Sequence, residues 1–356
     1  LEKGMALQSA GRYAESAYAW RRAGELMEKQ DVFRVGEAAL SLVFDQNITA
    51  YQPAPYEKPF LHALLCLDYI FLRDATSARV EAMKSLEELD KRENIVGPIY
   101  FVRYAAAMAF ELSGDANDAY IEYKKIHNGG VPGFLPTLIR LSAKLGFEDD
   151  RQKYLAELGD TESAAMAGAK EEIPLLIFLG KSPRKVSSEI VLADDYKLVL
   201  PVFQTQSNPI LGIRLFSESP ASKAAPAARP NVAGITLTSV ESLASQYSGK
   251  LFASQLLKEI ARRKVQKRIV EKVGDKVGTT TEELLKTVFF FAQEADLRTW
   301  SSLPASVQII KIPNPDSDTQ LALQCTGDQE KPLPRDPISV PVPDPAGPPL
   351  AILRAW

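Results

Sequence analysis

Gly114-Asp-Ala116-Asn-Asp-Ala119-Tyr-Ile-Glu-Tyr123-Lys-Lys-Ile126 reads as a tight turn followed by a helix, with small and aromatic residues at helical spacing. The same pattern occurs in Gly11-Arg-Tyr13-Ala-Glu-Ser16-Ala-Tyr-Ala-Trp20-Arg-Arg-Ala23 and in Arg73-Asp-Ala75-Thr-Ser-Ala78-Arg-Val-Glu-Ala82. It is the turn and second helix of a tetratricopeptide-type unit, in which a small residue lets paired helices approach closely. The equivalent positions Ser16, Ala78 and Ala119 lie 62 and 41 residues apart, against about 34 for a regular array. Residues 1–160 are therefore expected to form an all-α, TPR-like array of helical hairpins with insertions, one of them Ile48 to Pro55. Intervening helices fit. His62, Leu65, Cys66, Tyr69 and Ile70 share one face, and Ile99, Val102, Ala106, Ala109 and Phe110 share another. Gly129-Gly-Val-Pro-Gly133 interrupts the array before a last helical pair that ends near Leu158.

From Ile173 the period changes. Strands are expected over 173–216 and 232–238, punctuated by Gly180-Lys-Ser-Pro183, Ala193-Asp-Asp195 and Gln206-Ser-Asn-Pro209. Two long helices follow at about 240–273 and 280–297, the second opened by the capping signal Thr279-Thr-Thr-Glu282. Strands resume over 307–325. Strands, then helices, then strands make residues 161–330 an α+β domain with a mostly antiparallel sheet. Residues 331–356 form a Pro-rich C-terminal tail, expected to be extended, in which Leu350 to Trp356 could add an edge strand. The chain is thus expected to be a multidomain α+β protein.

Composition narrows the function classes. With 42 basic and 45 acidic residues the net charge is −3, so no overall field recruits nucleic acid or anionic lipid. The longest apolar runs fall far below the roughly 18 to 20 residues of a membrane-spanning helix. Cys66 and Cys325 read as two buried free thiols in different halves of the chain. Beginning at Leu1 without Met, the chain is expected to be processed or trimmed at that end, which leaves export open.

Candidate chemistry is thin. His62 stands one turn before Cys66, but no third or fourth ligand accompanies them, so packing is the expected role. His127 is read as a helix-end cation. Asp149 fits a helix start, and Asp194 and Asp195 a hairpin turn, rather than a catalytic dyad. Gly180-Lys-Ser182 lacks the upstream glycine of a phosphate loop, and no serine sits in a nucleophile elbow. No cofactor or metal is expected, and an enzyme is not. Arg262, Arg263, Lys267 and Arg268 lie on the polar side of an amphipathic helix and form a candidate surface for a protein partner, cell-wall polymer or lipid head groups.

Four stretches resemble a family of uncharacterised bacterial cell-envelope lipoproteins with a tetratricopeptide-like N-terminal half. They are Ile48 to Lys58 with the helix through Ala82, Ile177 to Lys185, Leu200 to Phe203 with Ile210 to Phe216, and Ala295 to Pro304 with its following strand. Tyr56, Arg184, Asp296, Arg298, Trp300 and Pro304 match the family's motifs. Our own reading gives them structural roles, with Arg298 in the last turn of a helix and Trp300 at the seam between helix and sheet. The resemblance implies a periplasm-facing protein, lipid-anchored to the outer membrane, without known catalytic activity. The expected function is a non-enzymatic scaffold or adaptor for protein partners in an envelope assembly. A cell-wall-acting enzyme using Asp149, Asp194 or Asp195, and a cytoplasmic TPR adaptor or secretion chaperone, are the alternatives.

Overall fold

The computed structural model describes residues 1–37, 51–159, 172–192, 196–218, 231–249, 253, 296–313, 320–328, 331–334, 338–340 and 351–355. Outside them lie Ile48, Asp194, Asp195, the four basic residues 262, 263, 267 and 268, and most of the two expected long helices. Of the first, 240–249 and 253 are described, and they are helical.

The architecture is α+β, with helices in the N-terminal half and mixed sheets in the C-terminal half. The helices run α1 (Glu2–Ser9), α2 (Tyr13–Glu37), α3 (Glu57–Phe71), α4 (Ala75–Asp90), α5 (Glu93–Val96), α6 (Tyr100–Ser113), α7 (Ala116–Asn128), α8 (Leu135–Leu145) and α9 (Glu148–Leu158). Consecutive helices pack as α1 on α2, α3 on α4, α6 on α7 and α8 on α9, and α3 also packs on α6. Ser16, Ala78 and Ala119 are each 0 % exposed, so no larger side chain fits between the paired helices. Asp74 caps α4 by accepting from the Ser77 N–H at 3.0 Å. Apart from the short α5, α3 and α6 are apolar nearly all round and buried nearly throughout, which marks central helices and not surface ones.

Among the described residues ten strands follow: β1 (Glu172–Leu179), β2 (Arg184–Leu192), β3 (Tyr196–Gln204), β4 (Gly212–Glu218), β5 (Asn231–Ala233), β6 (Ile235–Ser239), β7 (Ser306–Pro313), β8 (Gln320–Thr326), β9 (Ile338–Val340) and β10 (Ala351–Ala355). They form a sheet ordered β10-β1-β7-β6, a β2-β3 ribbon, and a sheet ordered β5-β4-β8-β9. Pairing is antiparallel except between β1 and β10. Where one mostly antiparallel sheet was expected, the described residues form three. Part of the Pro-rich tail is sheet as well, since β9 and β10 both come from it.

The apolar run Leu175–Leu179 is continuous because β1 is covered on both faces. Leu176 and Phe178, with Val307, Ile309 and Leu237, join the helical core, whereas Leu175, Ile177 and Leu179, with Ile310, face Ile213, Leu215, Leu323 and Cys325. Helices, central sheet and second sheet therefore stack as three layers, each face of β1 following the period-two alternation of a strand. Cross-layer bonds tie the stack. The Phe101 N–H donates to Thr238 Oγ1 at 2.9 Å, and Lys311 Nζ to the Gly133 carbonyl at 2.6 Å. No helix among the described residues is long and apolar enough to cross a membrane.

Candidate functional site

Tyr56 and Glu57, Ser182 and Lys185, Phe203, and Trp300, far apart in sequence, meet at one place on the helix–sheet seam, whereas Ile210, Ile213 and Leu215 lie in the cluster between the two sheets. Trp300 is 1 % exposed and lies against Trp20 of α2, ring centroids 5.2 Å apart. Its backbone N–H donates to Glu57 Oε1 at 3.3 Å, at the first position of α3. Its carbonyl accepts from Ser182 Oγ at 3.2 Å, and the Ser182 N–H donates to the Leu303 carbonyl at 2.9 Å. Tyr56 packs on Phe203 of β3 with centroids 6.4 Å apart, and Lys185 Nζ stands 5.7 Å from the same ring. The approach is close enough that a Cβ on Gly4 would meet the Trp20 ring at 2.6 Å, so α1 needs glycine there.

A charged cluster is enclosed in this seam. Glu57 is 1 % exposed, and its second oxygen accepts from the Tyr51 hydroxyl. Burial pushes the Glu57 carboxyl up to about 7, against the lowering influence of Tyr51, Lys185 and the Trp300 and Ala54 amides. Burial likewise pulls the Lys185 ammonium down, although Glu57 and Asp296 pull the other way. Asp296 feels the same burial, yet its bonds from Arg298 hold it below the usual carboxylate range. Arg298 donates from Nε and one terminal nitrogen to the two Asp296 oxygens, each at 2.8 Å, and its backbone N–H donates at 3.0 Å. The segment 296–300 is irregular, so Arg298 is not in a helical turn as expected; it closes a local ring with Asp296 instead.

Both Glu57 oxygens are engaged and the group is sealed from water. A carboxyl near neutrality in such a place takes up or releases a proton in response to pH without touching a substrate.

The other expected residues scatter. Arg184 is exposed, 3.5 Å from Gln204 Oε1 on the facing strand, and Pro304 is buried where the signature turns into β7. His62 Nδ1 faces Glu81 at 2.7 Å, while Cys66 Sγ donates to the Ala105 carbonyl at 3.6 Å, so the two side chains look to different partners. Burial pushes the Cys66 thiol up, and both cysteines are free and buried. His127 Nε2 pairs with Glu157 at 3.2 Å. Asp149 is exposed, and its neighbour Asp150 accepts from Lys124 at 3.1 Å and from Tyr120. Among the described residues no group of His, Cys, Asp or Glu is arranged to hold a metal.

Tyr51, Glu57, Lys185, Asp68 and Arg354 escaped the sequence reading as functional candidates. Asp68 had a signal: it is an acidic residue inside a helix that is apolar on every side.

No family model, curated protein or solved structure matches the chain.

Proposed function

We propose that this chain is a non-enzymatic scaffold that binds protein partners in a bacterial envelope assembly, lipid-anchored and facing the periplasm. The address rests on the resemblance of residues 48–58, 177–185, 200–216 and 295–304 to the envelope lipoprotein family. The binding role rests on the helical half, read as a tetratricopeptide-type array in which α1, α3, α6 and α8 are first helices and α2, α4, α7 and α9 second helices. Such arrays usually bind along the face made by their first helices. Here that face lies under the chain's own sheet, as the burial of α3 and α6 and the contact of Phe101 with Phe178 indicate.

Partners therefore meet the outer face of the second helices. One observation carries this reading. Tyr18, Val80 and Ile121 stand two residues after Ser16, Ala78 and Ala119 respectively, the same register in three hairpins, and are 66 %, 46 % and 41 % exposed. Met83 and Leu26 on the same helices are 51 % and 47 % exposed. A row of large apolar side chains left in water at repeated positions fits a partner segment with an apolar face. The basic stretch with Arg262, Arg263, Lys267 and Arg268, outside the described residues, is a second candidate surface on this reading, for acidic polymer or lipid head groups. A catalytic role has less support, since Glu57 is enclosed and Asp149 lies on an open surface.

The test is cross-linking in detergent-solubilised envelope, comparing the natural chain with a Tyr18→Asp, Val80→Asp, Ile121→Asp triple variant. Exposed positions of this kind alter stability by only about 0.5 kcal/mol each. A partner held by the natural chain and lost by the variant supports the reading. Identical cross-links from both, or none from either, refute it.

A further inference from the structure

The strand β10 is the last of the described strands yet lies against β1, the first of them. It runs parallel to β1 in the register Leu175↔Ala351 to Leu179↔Ala355, and the Gly180 N–H adds a 2.8 Å bond to the Ala355 carbonyl. In the order β10-β1-β7-β6 it is an edge strand, so its removal would leave a row of β1 main-chain donors and acceptors open. Its side chains enter alternate environments. Ala351, Leu353 and Ala355 join the cluster between the sheets, while Ile352 joins the helical core.

Arg354 enters a formed pocket on the helical side. Its guanidinium stacks over Phe178, Cζ 4.7 Å from the ring centroid, and one terminal nitrogen donates to Gln8 Oε1 at 2.6 Å. The other terminal nitrogen lies 2.6 Å from Met5 Sδ. Gln8 Nε2 in turn donates to Asp68 Oδ1 at 2.9 Å and to the Leu64 carbonyl at 3.1 Å. Gln8 and Asp68 are 4 % and 0 % exposed, so this pocket is a built part of the core that α1 and α3 supply. Planar stacking, a directed acceptor and a buried carboxylate behind it suit a guanidinium and no other natural side chain.

We propose that the edge of β1, with the pocket of Gln8, Asp68 and Phe178, is a strand-acceptor site for an extended segment carrying arginine, held in cis by residues 351–355 and taken in trans by the same residues of a second copy.

The fit in cis is incomplete, which makes the occupant replaceable. Four of the five β10 residues are only half-buried. A short, half-buried edge strand belongs to the part of a fold that opens locally before the rest. The connecting residues 341–350 carry five prolines, and ten residues of that composition reach roughly 30 Å when extended. Exchange of the same element between identical chains creates no new contacts, so the same side chains serve in cis and in trans. The tethered copy acts at a local concentration on the order of millimolar, so the cis form prevails in dilute solution and the trans form rises on crowding.

The experiment uses the full chain and a fluorescent peptide of residues 347–356, followed by anisotropy. The Arg354→Ala chain, its own strand weakened, should bind this peptide about tenfold or more tightly than the natural chain does. A peptide with alanine in place of the arginine should lose about tenfold or more. Equal binding of the two peptides, or no uptake by a variant chain with native circular dichroism and melting, overturns the proposal. Should Arg354→Ala fail to fold, hydrogen exchange on the natural chain decides: excess peptide must speed exchange of the 351–355 amides, and unchanged protection refutes the site. Sedimentation of the natural chain at rising concentration should reveal a dimer that excess peptide dissolves. A monomer throughout refutes the trans form.

Discussion

Replacing Glu57 by Gln should remove a pH dependence of stability that this one side chain creates. The Glu57 carboxyl rises from an ordinary 4.5 to about 7 in the folded protein, with burial as the leading cause. Below about pH 4.5 it is protonated in both states and contributes nothing to the difference. As pH climbs from 4.5 towards 7, the unfolded chain releases the proton first, so ionisation favours unfolding and stability falls; above 7 the loss levels off. At roughly 1.4 kcal/mol per tenfold change, the rise amounts to about 3 kcal/mol across that window. Gln keeps the size and an oxygen for the Trp300 N–H, and its amide can donate to Tyr51. Asp68 is also pushed up, to about 7, first by burial, so the natural chain alone cannot assign the slope. The difference between natural and Glu57→Gln chains isolates one group. Urea unfolding from pH 4.5 to 8 should give a Gln variant that gains about 3 kcal/mol on the natural chain as pH rises. Parallel curves would refute the assigned burial of Glu57.

Other perturbations report on the layers around it. Gly4→Ala drives a methyl into the Trp20 ring and should cost about 1 to 3 kcal/mol, read as a lowered melting temperature; an unchanged melt would mean that α1 does not sit against Trp20. Ala119→Leu should cost a similar amount by separating α6 from α7, whereas Ile121→Leu two positions on, being exposed, should change stability by less than about 0.5 kcal/mol. Arg103→Ala strips the 2.9 Å partner from Glu122, itself 4 % exposed, leaving Lys125 as its remaining cation; a loss of about 3 kcal/mol in urea unfolding is expected, and a neutral result would place Glu122 in water. Cys66 and Cys325 should resist a thiol reagent in native buffer and react together on unfolding, and rapid native labelling would contradict their burial.

Local pattern exposed much of this fold. The three turn-and-small-residue stretches marked where α2, α4 and α7 begin, because close helix pairing demands Ser16, Ala78 or Ala119 whatever surrounds them. The apolar run Leu175–Leu179 signalled a strand, and only the structure shows that its lack of alternation reflects cover on both faces. Which layers supply that cover depends on long-range pairing and leaves no mark in the run itself. The same holds for the site. Nothing near Glu57 announces Trp300, more than two hundred residues away, and nothing near Asp68 announces Arg354. Arg298 was assigned to a helix from the periodicity before it, but Asp296, two residues away, offers its guanidinium a closer partner than a helix end would. The parallel direction of β10 was equally hidden, since a five-residue strand carries no directional signal.

Glu2 accepts from the backbone N–H of Ser301, and Gln8 accepts from Arg354, so α1 is clasped by residues made 299 and 346 positions later. A ribosome assembling this protein must hold an unfinished helical stack with Trp20 and Phe101 uncovered until Phe178 and Trp300 emerge. Truncated products would keep that oily surface, leaving them targets for proteases and chaperones, while an intact chain would acquire resistance in one late step.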